Sequence, residues 1–303
     1  MTPFPSGEQH EIAFEDQRAV VVEVGGAVRR YDVGGREVLE PFDVDAMCDG
    51  AHGTPLIPWP NRLGGGRYTW DGTEHQVALT EPEQSNAIHG FLRWRPWTVA
   101  DRADHHVTMA ARIFPMKGYP FHLDVQVAYR LGPDGLTVTT TASNVGGEAC
   151  PYASGHHPYL SPGSGLIDEA VLEVPAETRI DTDERQLPTT TETVDGTPYD
   201  FREPRRLGHI HIDYAFGGIR WDDQDRATVR LRGEDGLHAE LWIDRSYRYL
   251  EIFTGDTLGP GRRRTGLGVE PMTCPPNGFA TGDDVVRLEP GTSHVATWGA
   301  RLV

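Results

Sequence analysis

The chain has 303 residues and carries 45 acidic against 28 basic side chains, a formal charge of −17, with Lys117 as its only lysine. So acidic a surface repels phosphate backbones and anionic lipids, which argues against nucleic-acid and membrane partners. Three widely separated cysteines, Cys48, Cys150 and Cys274, fit neither a disulfide framework nor a Cys-x-x-Cys metal site and point to a reducing compartment. The first residues, MTPFPSGEQHEIAFEDQR, lack a basic segment followed by an apolar one, and nowhere do 18 apolar residues run together. The expectation is a soluble, cytoplasmic protein.

In chain order, short stretches with period-2 alternation recur between Gly, Pro, Asp and Asn breaks: Arg18–Val24, His106–Ile113, Phe121–Leu131, Leu136–Ala142, Ala227–Leu231, Leu237–Ile243, Tyr249–Thr254 and Val295–Val303. Each places β-branched or aromatic residues on alternate positions, as a half-buried strand requires. Leu123–Tyr129 and Leu136–Thr141, separated by Gly132–Gly135 (GPDG), read as an antiparallel hairpin. No window of 12 or more residues has helical periodicity, so long helices are not expected. So many strands predict large antiparallel sheets packed face to face. With no repeat, charge block or Gly/Pro-rich linker, residues 1–303 read as one domain, and the Pro/Thr-rich stretch Leu187–Pro198 as a surface loop.

Five places could carry chemistry. In Pro55–Tyr68 (PLIPWPNRLGGGRY), Arg62 offers a fork of donors and three glycines would let backbone approach a ligand, or the stretch is a surface turn. In Asn86–Trp97 (NAIHGFLRWRPW), His89 precedes Gly90, and Phe91, Trp94 and Trp97 suit either the core or stacking on a ligand. In Ser154–Pro162 (SGHHPYLSP), His156 and His157 are neighbours on an extended segment and must point to opposite faces. At most one of them enters a pocket, which makes a paired His-His metal grip a poor reading and a single poised imidazole a better one. Asp213, among apolar residues of His209–Gly217, either closes a turn or meets a donor or ligand hydroxyl. Finally, Thr265–Phe279 (TGLGVEPMTCPPNGF) reads as a buried strand ending at a Pro-rich corner, and Glu270 at its end is either a satisfied structural acid or a base held in a pocket. No Gly-x-Ser-x-Gly elbow, phosphate loop or dinucleotide fingerprint occurs, so no cofactor or metal is called for.

In that order, Asn-Arg with glycines, Asn-x-x-His-Gly, His-Pro-Tyr, Ile-Asp-Tyr-x-Phe and Val-Glu-Pro resemble the aldose 1-epimerase (mutarotase) family, from about Pro55 to the C-terminus. The resemblance implies an all-β, galactose-mutarotase-like supersandwich, monomeric or homodimeric, that takes a free monosaccharide. It implies Glu270 as general base and His157 as general acid, with Arg62, His89 and Asp213 binding sugar hydroxyls. The expected reaction is interconversion of α and β anomers of a hexose, with His157 donating as imidazolium. Two rivals stand beside it: an epimerase of a 6-phosphorylated or 6-sulfonated hexose, with Arg62, Arg93 and Arg95 as candidate cations, and a non-catalytic sugar-binding module. The sugar itself is left open.

Overall fold

The computed structural model describes residues 3–303. The chain is almost entirely strand, and its one α-helix among the described residues is the single turn Gly278–Thr281. All eight stretches with alternating patterning form strands, among them His106–Ile113, Leu123–Gly132, Gly135–Asn144 and Ser293–Leu302. The GPDG hairpin closes on a Gly132–Gly135 pair, with Gly135 at φ +95°, a conformation that suits glycine.

The expected sandwich of large antiparallel sheets is present. One sheet of 12 strands runs from Gln9–Phe14 through Arg36–Leu39, Tyr159–Leu160, Leu267–Met272, Tyr249–Phe253 and Asp213–Ile219 to the edge strand Pro188–Thr193. The second, of nine strands, is centred on Gly135–Asn144, Ser293–Leu302 and His238–Ile243. Apolar side chains from both sheets, including Val21, Tyr31, Val127, Val138, Leu241 and Trp298, merge into one core. The stretch Leu187–Pro198, expected to be a loop, contains that edge strand: its Thr-rich face is exposed on one side and pairs with Ala176–Thr182 on the other. Threonine's β-branching favours strand, a preference the loop reading underweighted.

Leu267–Met272 is buried along its whole length. On one flank it pairs with Tyr249–Phe253. On the other it meets two short strands, Gly155–His156 and Tyr159–Leu160, with Gly155 opposite Met272 and Tyr159 opposite Gly268. The strand therefore continues past Glu270 and does not end there. Pro271 falls opposite His156 in this register and contributes no N–H to the ladder there. The chain crosses that gap at His157–Pro158.

The alternation expected of the two histidines is observed. His156 points into the space between the sheets, where its Nε2 and the Thr140 hydroxyl are 2.7 Å apart and its ring packs against Trp298. His157 takes the opposite face. Full burial pushes His156 down to about 3, so it is neutral in the fold at any ordinary pH. An unfolded histidine ionises near 6.5, so between these values the unfolded chain binds the extra proton and stability falls as pH falls. Replacing His156 with Gln, which keeps a hydrogen-bonding group but cannot titrate, should shrink the loss of stability between pH 7 and pH 5 by roughly 2 kcal/mol. Urea unfolding of both proteins at the two pH values measures this.

Candidate active site

The strand register brings the central pair together. With Gly155 opposite Met272 and Tyr159 opposite Gly268, His157 lies directly across from Glu270. Its Nε2 is 3.1 Å from Glu270 Oε1, and the two residues are only 5% and 3% exposed. On the other flank Glu251 is the register partner of Glu270 and shares its face of the sheet. Asp213 lies on the next strand, opposite Phe253. One face of four neighbouring strands thus carries three carboxylates and an imidazole in a row.

Loops complete the site. Asn61 and His89, both in the left-handed region at φ +54° and +62°, clamp one another. The His89 N–H donates to the Asn61 carbonyl at 3.0 Å, and the Asn61 N–H donates to His89 Nδ1 at 3.1 Å. The imidazole is thereby held with Nε2 free. Asn and His enter this region more readily than other side chains, and here the reciprocal hydrogen bonds hold them in it. Arg62 makes a bidentate ion pair with Glu81 at 2.9 and 3.1 Å, and Gln186 Nε2 donates to Asp213 at 2.7 Å. His157 is stacked on Tyr159 with ring centroids 5.0 Å apart.

All five residues singled out in the sequence, Arg62, His89, His157, Asp213 and Glu270, line one cavity of about 400 Å³, together with Gly50, Arg93, Tyr159, Phe253 and Thr257. That size is typical of small-ligand sites. A hollow of about 500 Å³ over Glu37, Glu40, Asp43 and Arg262 has no comparable meeting of acid and imidazole. Two alternatives left open by the sequence are decided. The three glycines lie outside the cavity lining: Gly64 ends the strand Arg62–Gly64, Gly65 and Gly66 form the turn after it, and a Cβ on Gly66 would lie 2.7 Å from the Val77 carbonyl. Nor do Phe91, Trp94 and Trp97 line the cavity: Phe91 packs on Trp59, Trp97 is core and Trp94 faces solvent. The aromatic lining is Tyr159 and Phe253, which sequence reasoning missed, as it missed Glu251 and Gln186.

Burial dominates the electrostatics. It raises Glu270 and Glu251 well above the usual carboxylate range; the charge of Asp213 adds to both and that of Glu270 to Glu251, while Arg62 opposes the rise. Burial also pushes His157 down to about 3 and His89 well below the usual imidazole range. The shifts run in opposite directions because desolvation disfavours the charged form of each group, so the neutral forms, carboxylic acid beside imidazole, are favoured in the empty cavity. This differs from the imidazolium expected from the sequence, because an isolated histidine does not feel the cost of the low-dielectric cavity. Glu270 Oε2 is buried without a partner, as an acceptor aimed at a ligand donor would be. His89, His157 and Glu270 also offer donor atoms within 4.8 Å of one another, but His89 Nδ1 accepts the Asn61 N–H, so its Nε2 carries the ring proton and ligates a cation only after giving up that arrangement.

Against this geometry the comparisons are informative. The family model described as aldose 1-epimerase matches residues 9–300. The chain belongs to the aldose 1-epimerase family. The Escherichia coli protein YihR, described as uncharacterized, is 34% identical over 95% of this chain and 91% of its own length. Rat galactose mutarotase is 29% identical over 64% of this chain and 56% of its length. Among solved structures, a GalM/aldose epimerase homologue from C. elegans superposes with a TM-score of 0.85 at 20% identity over 98% of both chains. Galactose 1-epimerase from Lactobacillus acidophilus does so with a TM-score of 0.81 at 17% identity, over 97% of this chain and 94% of its own. These likenesses establish the galactose-mutarotase-like fold.

Gly90 tests how tightly the loop is built. At φ +66°, a Cβ added there would lie 2.0 Å from the Ile57 carbonyl oxygen. Gly90→Ala should cost roughly 2–4 kcal/mol in urea unfolding, because backbone must move and the His89–Asn61 clamp with it.

Proposed function

We propose that this protein is an aldose 1-epimerase in which Glu270 and His157 interconvert the α and β anomers of a hexose by proton transfer. The observation that carries the reading is the 3.1 Å approach of His157 Nε2 to Glu270 Oε1 inside a cavity lined by Arg62, His89 and Asp213. Binding alone requires no such pair, which favours an enzyme over a sugar-binding module.

Anomer exchange needs two proton movements. Glu270 as carboxylate takes the proton of the C1 hydroxyl. The C1–O5 bond breaks, its electron pair stays on O5, and O5 takes a proton from His157 Nε2. The sugar is then an open-chain aldehyde, and the pair holds the same single proton, now on Glu270 beside a neutral imidazole. Rotation about C1–C2 presents the other face of the carbonyl. Ring closure reverses each transfer and restores the ion pair. Burial favours the neutral pair, so the charged form has to be stabilised on binding. Arg62, which already lowers Glu270, and hydroxyl donors from the sugar supply that stabilisation. Arg62 and Asp213 hold ring hydroxyls through charge-assisted hydrogen bonds, and His89 does so as a neutral imidazole.

A positioned acid or base typically contributes about 10²–10⁴ in rate. Glu270→Gln and His157→Asn should each lower kcat in a polarimetric mutarotation assay by at least about 10²-fold, whereas His156→Gln should leave kcat within about threefold. Wild-type rates in either of the first two variants would overturn the assignment. If the His89–His157–Glu270 set instead held a catalytic metal, exhaustive treatment with a chelator would abolish turnover and added zinc would restore it. Proton transfer alone predicts no response to the chelator.

The pH dependence follows from the same cluster. Asp213 is a like charge that raises Glu270. Removing it makes the pair hold its proton less tightly, so the pH profile of kcat/KM in Asp213→Asn should move towards lower pH. KM should rise as well, through the lost hydroxyl contact.

A further inference from the structure

Behind the cavity wall lies a buried imidazole that the proton transfers do not use. His52 is 1% exposed, and its ring lies on Tyr159 with centroids 4.4 Å apart and planes 19° apart. His157 lies on the same phenol at 5.0 Å and 16°. The two imidazoles share no ring contact and so take its opposite faces. Three rings therefore stand in one column, His52–Tyr159–His157, and the last of them faces Glu270.

The far end of the column is anchored. His52 Nδ1 accepts from the Arg262 guanidinium, which leaves the ring proton on Nε2, and Nε2 donates to the Glu40 carbonyl at 2.6 Å. Arg262 is fixed in turn by Asp49 at 2.6 Å and stands 3.8 Å from the Glu40 carboxylate. Burial, with the Arg262 charge beside it, pushes His52 down to about 3. A neutral imidazole with both nitrogens engaged is no proton relay. What it offers is a fixed flat surface.

His157 needs such a surface. A histidine ring turns easily about χ2 unless something holds its plane, commonly a hydrogen bond on the nitrogen away from the reaction. Among the described residues, His157 Nδ1 has no partner on any other residue. The backbone is gripped: the Gly53 N–H donates to the His157 carbonyl at 2.8 Å, and the His157 N–H donates to the Thr54 carbonyl at 3.1 Å. The ring plane is left to packing. His89 and Phe253 meet the ring edge-on, and Tyr159 supplies the flat contact, its hydroxyl donating to the Gly50 carbonyl at 3.0 Å. Gly50–Thr54 thus holds both His157 and Tyr159, and the His52 side chain ties that segment to Glu40 and Arg262.

We propose that His52 is a positioning residue for the reaction: anchored by Arg262 and Glu40, it backs Tyr159 and so fixes the plane of the His157 ring and the aim of its Nε2. This rests on the reading of His157 as the acid, and the test separates the two. Anomer exchange on glucose and galactose is followed by saturation-transfer NMR, with urea unfolding of each variant to establish its fold. His52→Gln keeps polar groups for Glu40 and Arg262 but removes the ring. It should lower kcat by at least about tenfold and leave KM within about twofold, since the groups that hold sugar hydroxyls are untouched. His52→Phe restores a flat ring against Tyr159 and should recover kcat to within about threefold of wild type. In a His157→Asn background, where no imidazole remains to be aimed, His52→Gln should cost no more than about threefold further.

Wild-type kcat in His52→Gln, or a rise in KM in place of the fall in kcat, overturns the positioning assignment and leaves the proton-transfer mechanism standing. A folded His52→Phe as slow as His52→Gln does the same, as does an undiminished cost of His52→Gln beside His157→Asn. If His52→Phe does not fold, the comparison in the His157→Asn background decides. Wild-type kcat in His157→Asn, or no acceleration of either sugar by the wild-type protein, overturns the acid/base reading and the positioning assignment with it.

Discussion

The site depends on a strand that is broken at two residues. Opposite the continuous strand Leu267–Met272, the chain forms Gly155–His156, leaves the ladder at His157–Pro158 and rejoins it at Tyr159–Leu160. Two prolines make the break inexpensive. Pro158 and Pro271 have no N–H to leave unpaired, the Pro158 carbonyl still accepts from Val269 at 3.0 Å, and the His157 N–H is redirected to Thr54 at 3.1 Å. His157 is thereby freed from the ladder and keeps the register that sets it across from Glu270. A slip of one residue would send His156 into the cavity and His157 into the core, since side chains alternate between faces. The two short strands pin that register on both sides of the gap.

Placing acids and imidazoles on a buried sheet face is costly, and the structure shows how the cost is contained. Glu251 accepts from Asn61 Nδ2 at 3.2 Å, Asp213 accepts from Gln186 and Arg62 is neutralised by Glu81. Glu270 and His157 are left facing each other, 3.1 Å apart. Buried polar clusters that are only partly satisfied are where a ligand's hydroxyls gain most, because each contact they make replaces none within the protein. In the proposed chemistry, the oppositely shifted acid and imidazole exchange protons with the sugar and return to their starting state when the ring closes.

Much of this was legible in the sequence, and the parts that were not have identifiable causes. Period-2 alternation located the strands well, since half-buried strands write their two faces directly into the chain. Edge strand Pro188–Thr193 escaped because a Thr-rich strand with five of six residues exposed carries no apolar alternation. Glu251 escaped for the opposite reason. In Tyr249–Phe253 it is the polar residue between Leu250 and Ile252, and alternation reads such a residue as solvent-facing. Here the outward face of the sheet is roofed by the loops carrying Asn61, Arg62 and His89, so the polar face becomes a buried floor. The motif residues Arg62, His89, His157, Asp213 and Glu270 were visible as residue types in order along the chain. Their convergence was not, because it follows from register and loop packing across more than 200 positions. The protonation of His157 was beyond sequence for the same reason: desolvation is a property of the assembled cavity.

The central claim is that Glu270 and His157 act as one unit around a single proton. A double-mutant cycle on kcat tests it most directly, comparing Glu270→Gln, His157→Asn and the combined variant with wild type by anomer exchange. Because the pair acts only when both members are present, the combined variant should be no more than about threefold slower than the slower single variant. Losses that multiply, so that the combined variant is slower than either single by the full effect of the other, would show two independent contributors and contradict the account.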